Sequence, residues 1–90
     1  MANRRPQLQV RLIGKHASTG NTRHFRDGKQ ISAVSSLQIR EELAGGGFYL
    51  LYMDANDEEL TDTLHPSIED AMEQARFEFN VEPDEWTTMV

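Results

Sequence analysis

Residues 62–67, "DTLHPS", place Asp62, Thr63, His65 and Ser67 within six positions, the residue types of a hydrolytic triad. A triad needs its nucleophile, base and orienting acid to converge on one point. On an extended strand, alternate side chains leave in the same direction about 6.5–7 Å apart, so these neighbours run parallel rather than converge. Thr61, Thr63 and His65 instead read as a polar edge beside the start of the following helix. Three histidines, His16, His24 and His65, lack the spacing of helical or strand metal pairs, and the chain has no cysteine. The acids Asp57, Glu58 and Glu59 crowd one turn without the alternation and glycine of a calcium loop. Residues 14–21, "GKHASTGN", have the wrong glycine spacing for a phosphate loop and lack its Lys-Ser/Thr pair. No catalytic, cofactor or metal constellation emerges, and the residues point away from an enzyme.

The elements that would position any site follow from periodicity. Residues 7–13, "QLQVRLI", alternate, with Leu8, Val10 and Leu12 opposite Gln7, Gln9 and Arg11; this is a half-buried strand. Residues 14–36 lose that pattern and are expected to be a mobile loop or a weak hairpin. Asp27-Gly28 is suited to a two-residue turn, with Phe25 and Ile31 as apolar anchors. A second alternation, "LQIREEL", puts Leu37, Ile39 and Leu43 on one face. After a glycine triplet, Phe48 to Met53 are all apolar or aromatic, the signature of a strand covered on both faces. "DANDEE" supplies a turn in which Asn56 or Asp57 can take a left-handed conformation. "ELTDTLH" then returns as a third strand, completing a meander.

Residues 65–81 carry the clearest helix. Pro66 stops the strand, Ser67 is a natural N-cap, and Glu69 and Asp70 sit in the first turn, where the helix dipole favours acids. Ile68, Ala71, Met72, Ala75 and Phe79 form one apolar stripe. Asn80 suits a left-handed C′ position, and Pro83 prevents continuation. The fold expected is α+β: an antiparallel sheet, made of a three-stranded meander plus an N-terminal strand, packed on one main C-terminal helix. Ninety residues form a single domain, 1–90, with a disordered start over 1–6 and a core over 37–81. A chain this short buries only about 60–65% of its unfolded surface, so the core is thin.

Composition bounds the function classes. With 38% hydrophobic and 27% charged residues the chain is globular. "MANRRPQLQVRLIGKH" has no apolar stretch for export, because Arg11 and Lys15 interrupt it, and no segment is long enough to span a bilayer. A cytoplasmic location is expected, with no membrane partner. Charge is divided unevenly: residues 1–45 hold eight Lys/Arg against three Asp/Glu, and residues 46–90 hold Arg76 against twelve acids, for a net charge of −6. The halves can attract each other, two copies can attract each other, or each half can meet its own partner.

Two features suggest contact with another protein. One amphipathic helix covers one face of the three-stranded sheet; the other side of the Phe48–Met53 strand carries Tyr49, Leu51 and Met53. Residues 7–36 fold over that side, or a second copy or another protein does. Phe77 lies half a turn from the apolar stripe, among Glu69, Asp70, Glu73 and Asn80. It is a contact anchor, or Trp86 turns back to lie against it. The candidate contacts are therefore Phe77, Tyr49, Leu51, Met53, Glu73 and Trp86, for an unknown protein partner or a homodimer. Nucleic acid is the alternative partner, held at its phosphates by Arg4, Arg5, Arg11, Lys15, Arg23, Arg26 and Lys29.

From Gly47 onward the chain resembles a loose group of small uncharacterised bacterial proteins. The likeness rests on "GFYLLYMD", on "TDTLHPSIEDAMEQARFEF" and on the terminal "EW". It covers the last half of the chain, with Phe77 and Trp86 at matching aromatic positions and Asn80 where that pattern often has Gly. The resemblance implies a fold, an aromatic strand followed by an acidic turn and a capped helix, and no activity.

Overall fold

A computed structural model describes residues 6–13, 16, 24–26, 29–31 and 34–88. The alternating N-terminal segment forms β1 (Pro6–Arg11), and a short hairpin follows, β2 (His24–Arg26) with β3 (Lys29–Ile31). Arg26 pairs with Lys29 across it; the Asp27-Gly28 turn expected from the sequence lies outside the described residues. The main sheet continues with β4 (Ser36–Glu41), β5 (Phe48–Met53) and β6 (Glu59–His65). Helix α1 (Ile68–Phe79), a single 3-10 turn (Pro83–Glu85) and a two-residue strand β7 (Thr87–Thr88) complete the chain.

The five-stranded sheet is antiparallel, in the order β6-β5-β4-β1-β7. Register assigns the faces: Gln9 stands opposite Gln38, Gln38 opposite Leu51, and Leu51 opposite Asp62. Alternation then turns Val10, Leu37, Ile39, Leu50 and Tyr52 toward the helix, where Ala71, Ala75, Phe79, Val81 and Trp86 close the core. The core thus extends past residue 81 to Trp86. The alanines on α1 let its backbone approach the sheet closely. Both ends of the helix are fixed by local chemistry. Ser67 Oγ accepts the Asp70 backbone N–H at 3.0 Å, and Asn80 adopts a left-handed conformation (φ 60°) while its N–H bonds the Arg76 carbonyl.

Two turns close the meander. β4 ends at Glu41, so Leu43 lies in the turn and is 57% exposed rather than on the core face. Glu42 overrides the alternation there: its Oε1 accepts backbone N–H groups from Ala44 (2.8 Å) and Gly46 (3.3 Å), and its own N–H reaches the Gly47 carbonyl. Gly47 has φ +123°, and a Cβ on it would stand 2.3 Å from the His65 carbonyl oxygen. In the second turn it is Asp57 that takes the left-handed conformation (φ 61°), while Asp54 Oδ1 accepts the N–H groups of Asn56 and Glu58.

The outer sheet face answers the question posed by β5. Leu51 is fully buried and Met53 is 3% exposed within a single chain, although neither belongs to the helix-side core. Sheltering each is worth about 1.5–3 kcal/mol. These two side chains are therefore sheltered without a partner, while Leu64 on the same face is 53% exposed. The expected disordered start over 1–6 and the mobility of 14–36 fall largely outside the described residues.

Candidate functional site

The outward face of α1 collects exposed charge around one aromatic. Phe77 is 47% exposed, and Glu69, Asp70, Glu73, Arg76 and Asn80 are exposed with it. Arg76 binds Glu73 with two bonds, Nε to Oε1 at 3.2 Å and Nη2 to Oε2 at 2.5 Å. That pairing holds the Glu73 carboxyl below its ordinary range and the Arg76 guanidinium above its own. Glu73 is thus engaged by its own helix, and the other exposed acids of α1, Glu69 and Asp70, lie in its first turn.

Of the other candidate contacts, Tyr49 is half-buried. Leu51 and Met53 are buried in one chain and present no surface to a partner. Trp86 is also withdrawn from the surface: it is 8% exposed, packs in the helix-side core, and does not cover Phe77. Its indole Nε1 has no acceptor among the described residues, a cost that burial of the large ring offsets. For the nucleic-acid alternative, Arg11 is exposed on the outer sheet face, and Arg26 and Lys29 form the last rung of the β2–β3 hairpin. Arg4, Arg5, Lys15 and Arg23 lie outside the described residues.

A chain of polar groups that periodicity did not single out runs through the core. Glu78 is 2% exposed, and its Oε2 accepts from the Tyr52 hydroxyl at 2.5 Å and from Gln74 Nε2 at 2.6 Å. Tyr52 Oη also faces Thr63 Oγ1 at 3.5 Å, and Thr63 Oγ1 meets His65 Nε2 at 2.7 Å. Burial, with the neighbouring Glu78, pushes the Tyr52 phenol well above its ordinary range. Burial lowers the His65 imidazole, against the pull of Asp70 and Glu78. The signal was present in the sequence. Glu78 follows Ala75 by three and Ala71 by seven, which puts it on the buried stripe, and Tyr52 is inward by parity.

Two members of the "DTLHPS" segment do touch, Thr63 and His65, because both stand on the helix side of β6 two residues apart. Asp62 leaves on the opposite face and Ser67 caps the helix, so no triad assembles. Thr63 continues inward to Tyr52 rather than toward open space.

On the outer face, a groove of about 630 Å³ runs over β1, β4 and β7. Its described lining includes Gln9, Arg11, Ser36, Gln38, Arg40 and Thr87. At one end His16, 3% exposed, accepts the Ile13 N–H on Nδ1 at 3.0 Å. Its ring proton therefore sits on Nε2, which donates to Glu85 Oε1 at 2.6 Å. Both ring nitrogens are occupied, so this pair ties the N-terminal segment to the 3-10 turn and leaves no nitrogen for base catalysis. Sequence reasoning could not find it, since the partners are 69 residues apart.

Among the described residues no group of three or more His, Asp or Glu side chains could hold a metal ion, and no helix is long and apolar enough to cross a membrane. Comparison with protein-family models, with curated proteins and with solved structures found no match. Functional roles therefore rest on this chain's own geometry.

Proposed function

We propose that this chain is a small, non-enzymatic protein-interaction module that docks its partner on the outward face of α1. The observation that carries this reading is Phe77, an aromatic held 47% exposed on a helix whose two ends are both capped. A large aromatic supplies contact area at low entropic cost, and a rigid helix offers it without reordering on binding. The exposed acids Glu69 and Asp70 in the first turn of the same helix favour a partner surface that combines an apolar pocket with Lys or Arg at its rim. Leu51 and Met53 are buried within one chain, which supports taking the helix as the centre of the proposal.

Affinity capture from the native host, run side by side with the wild type and Phe77→Asp, tests this reading. Phe77 contributes little to the core, so the variant should keep the thermal stability of the wild type. Proteins retained by the wild type and lost by the variant support the module. Proteins captured equally by both refute it. Light scattering over a concentration series shows whether a second copy is that partner.

A further inference from the structure

One neutral imidazole, that of His16, holds two distant parts of the chain. Its Nδ1 accepts the Ile13 N–H at 3.0 Å, and its own backbone N–H returns to the Ile13 carbonyl at 2.8 Å, so the two residues bond reciprocally. On the other side of the ring, Nε2 stands 2.6 Å from Glu85 Oε1, and an ionised carboxylate can only accept. These bonds fit a single form of the ring, neutral with its proton on Nε2. A second proton would have to enter at Nδ1, where the Ile13 N–H already points. Two donors cannot share that contact, so a charged ring must leave one of its partners.

The surroundings decide which partner is left. Glu85 is fixed through both oxygens, Oε1 by His16 and Oε2 by the Glu82 N–H at 2.9 Å. A positive ring strengthens that contact, because a hydrogen bond between two ionised groups is stronger than one with a neutral donor. Ile13 is 61% exposed, so its N–H can pass to water when the ring withdraws, whereas the ring itself is 3% exposed and stays inside. The other charged groups lining this groove are Arg11 from β1, Arg40 from β4 and Asp57 from the β5–β6 turn. They bear on the pH at which the ring charges, and not on which bond it must give up. We propose that His16 is a pH-operated latch: the neutral ring ties Ile13 to the 3-10 turn, and the protonated ring keeps Glu85 and releases Ile13. Ile13, His16 and Glu85 all line the groove, so release reshapes that end of it in acid. The latch is independent of docking through Phe77.

Nitrogen-15 magnetic resonance of the full chain, between about pH 8 and about pH 5, tests the latch. At the upper end His16 should show a protonated Nε2 and an unprotonated Nδ1, with the Ile13 amide protected from hydrogen exchange. As Nδ1 takes its proton, the protection of Ile13, corrected for the intrinsic pH dependence of exchange, should fall about tenfold with the same midpoint. Two substitutions separate the bonds. His16→Asn puts an amide oxygen near the Nδ1 position and cannot titrate, so Ile13 should stay protected throughout. His16→Gln puts an amide NH₂ near the Nε2 position and offers Ile13 no acceptor, so protection should be absent throughout. Fluorescence of Trp86, the chain's only tryptophan and the neighbour of Glu85, reports whether each variant is folded; if one is not, the wild-type titration decides alone. A neutral ring protonated on Nδ1, an Ile13 amide that keeps its protection after His16 is charged, or an acid response of Ile13 that persists in His16→Asn overturns the proposal.

Discussion

Replacing Tyr52 by Phe deletes one oxygen from the interior and little else. The ring stays against Phe79, its present neighbour at 6.3 Å between centroids, and no cavity larger than the hydroxyl opens. What is lost is the 2.5 Å bond to Glu78 Oε2, a side chain only 2% exposed. A hydrogen bond to a charged group contributes about 1.5–3 kcal/mol, and the second contact of the hydroxyl, 3.5 Å from Thr63, is too long to add much. The expected destabilisation is therefore about 2 kcal/mol, read as a fall in melting temperature of about 10 °C for a domain of this size. Urea unfolding with an unchanged slope would confirm that the folded state was affected. The Glu78→Gln background provides the control. There the acceptor is neutral, and removing the Tyr52 hydroxyl should cost only about 0.5–1.5 kcal/mol. A Tyr52→Phe protein within about 0.5 kcal/mol of wild type, or an equal cost in both backgrounds, would refute the view that this pair is a coupled part of the core.

Two further outcomes follow from the β5–β6 side of the sheet. Gly47→Ala should destabilise by about 2–4 kcal/mol, because a Cβ would meet the His65 carbonyl in a backbone conformation that side chains avoid. Gly46→Ala meets only the flexible Glu42 side chain and should stay within about 0.5 kcal/mol of wild type; equal losses at the two sites in thermal melts would contradict the turn geometry. His65 gives a pH dependence. Its pKa is lowered in the folded chain, so above the ordinary histidine value near 6.5 it makes no difference, and as pH falls through that value the unfolded chain takes up the proton first. Stability should fall with acid, and the loss between about pH 7.5 and about pH 5.5 should be smaller in His65→Gln. Parallel pH profiles for the two proteins would exclude a histidine contribution.

How much of this could be read beforehand depended on the distance over which each feature is decided. Ser67, Asn80 and the alanine-lined stripe act within one or two helical turns, and α1 forms as their spacing requires. The left-handed Asp57 is decided by four residues or fewer and was legible as one of two candidates in its turn. Leu43 misled because alternation carried it one turn too far: Glu42 captured the N–H groups of the glycine turn and ended the strand. Trp86 and His16 were unreadable for the opposite reason, since their environments are set by strands or turns far along the chain. The aromatic run of β5 announced that both its faces needed shelter, while its composition carried no information about what would provide it.

The candidate sites follow the same division. Phe77 was visible as an aromatic off the apolar stripe, because helix geometry alone places it. The groove was not. Parity gives Gln9, Arg11, Ser36, Gln38 and Arg40 an outward direction one at a time, but their union depends on β1 pairing with β4 across an intervening hairpin. That pairing also explains the uneven charge of the two halves. Because β1 and β4 come from the basic half and α1 from the acidic half, packing the helix on the inner face sends Arg11 and Arg40 to one side of the sheet and Glu69 and Asp70 to the other. The His16–Glu85 contact joins the halves at one end of the groove. In the groove itself the charges balance, Arg11 and Arg40 against Asp57 and Glu85, so there the basic and acidic halves of the chain neutralise one another.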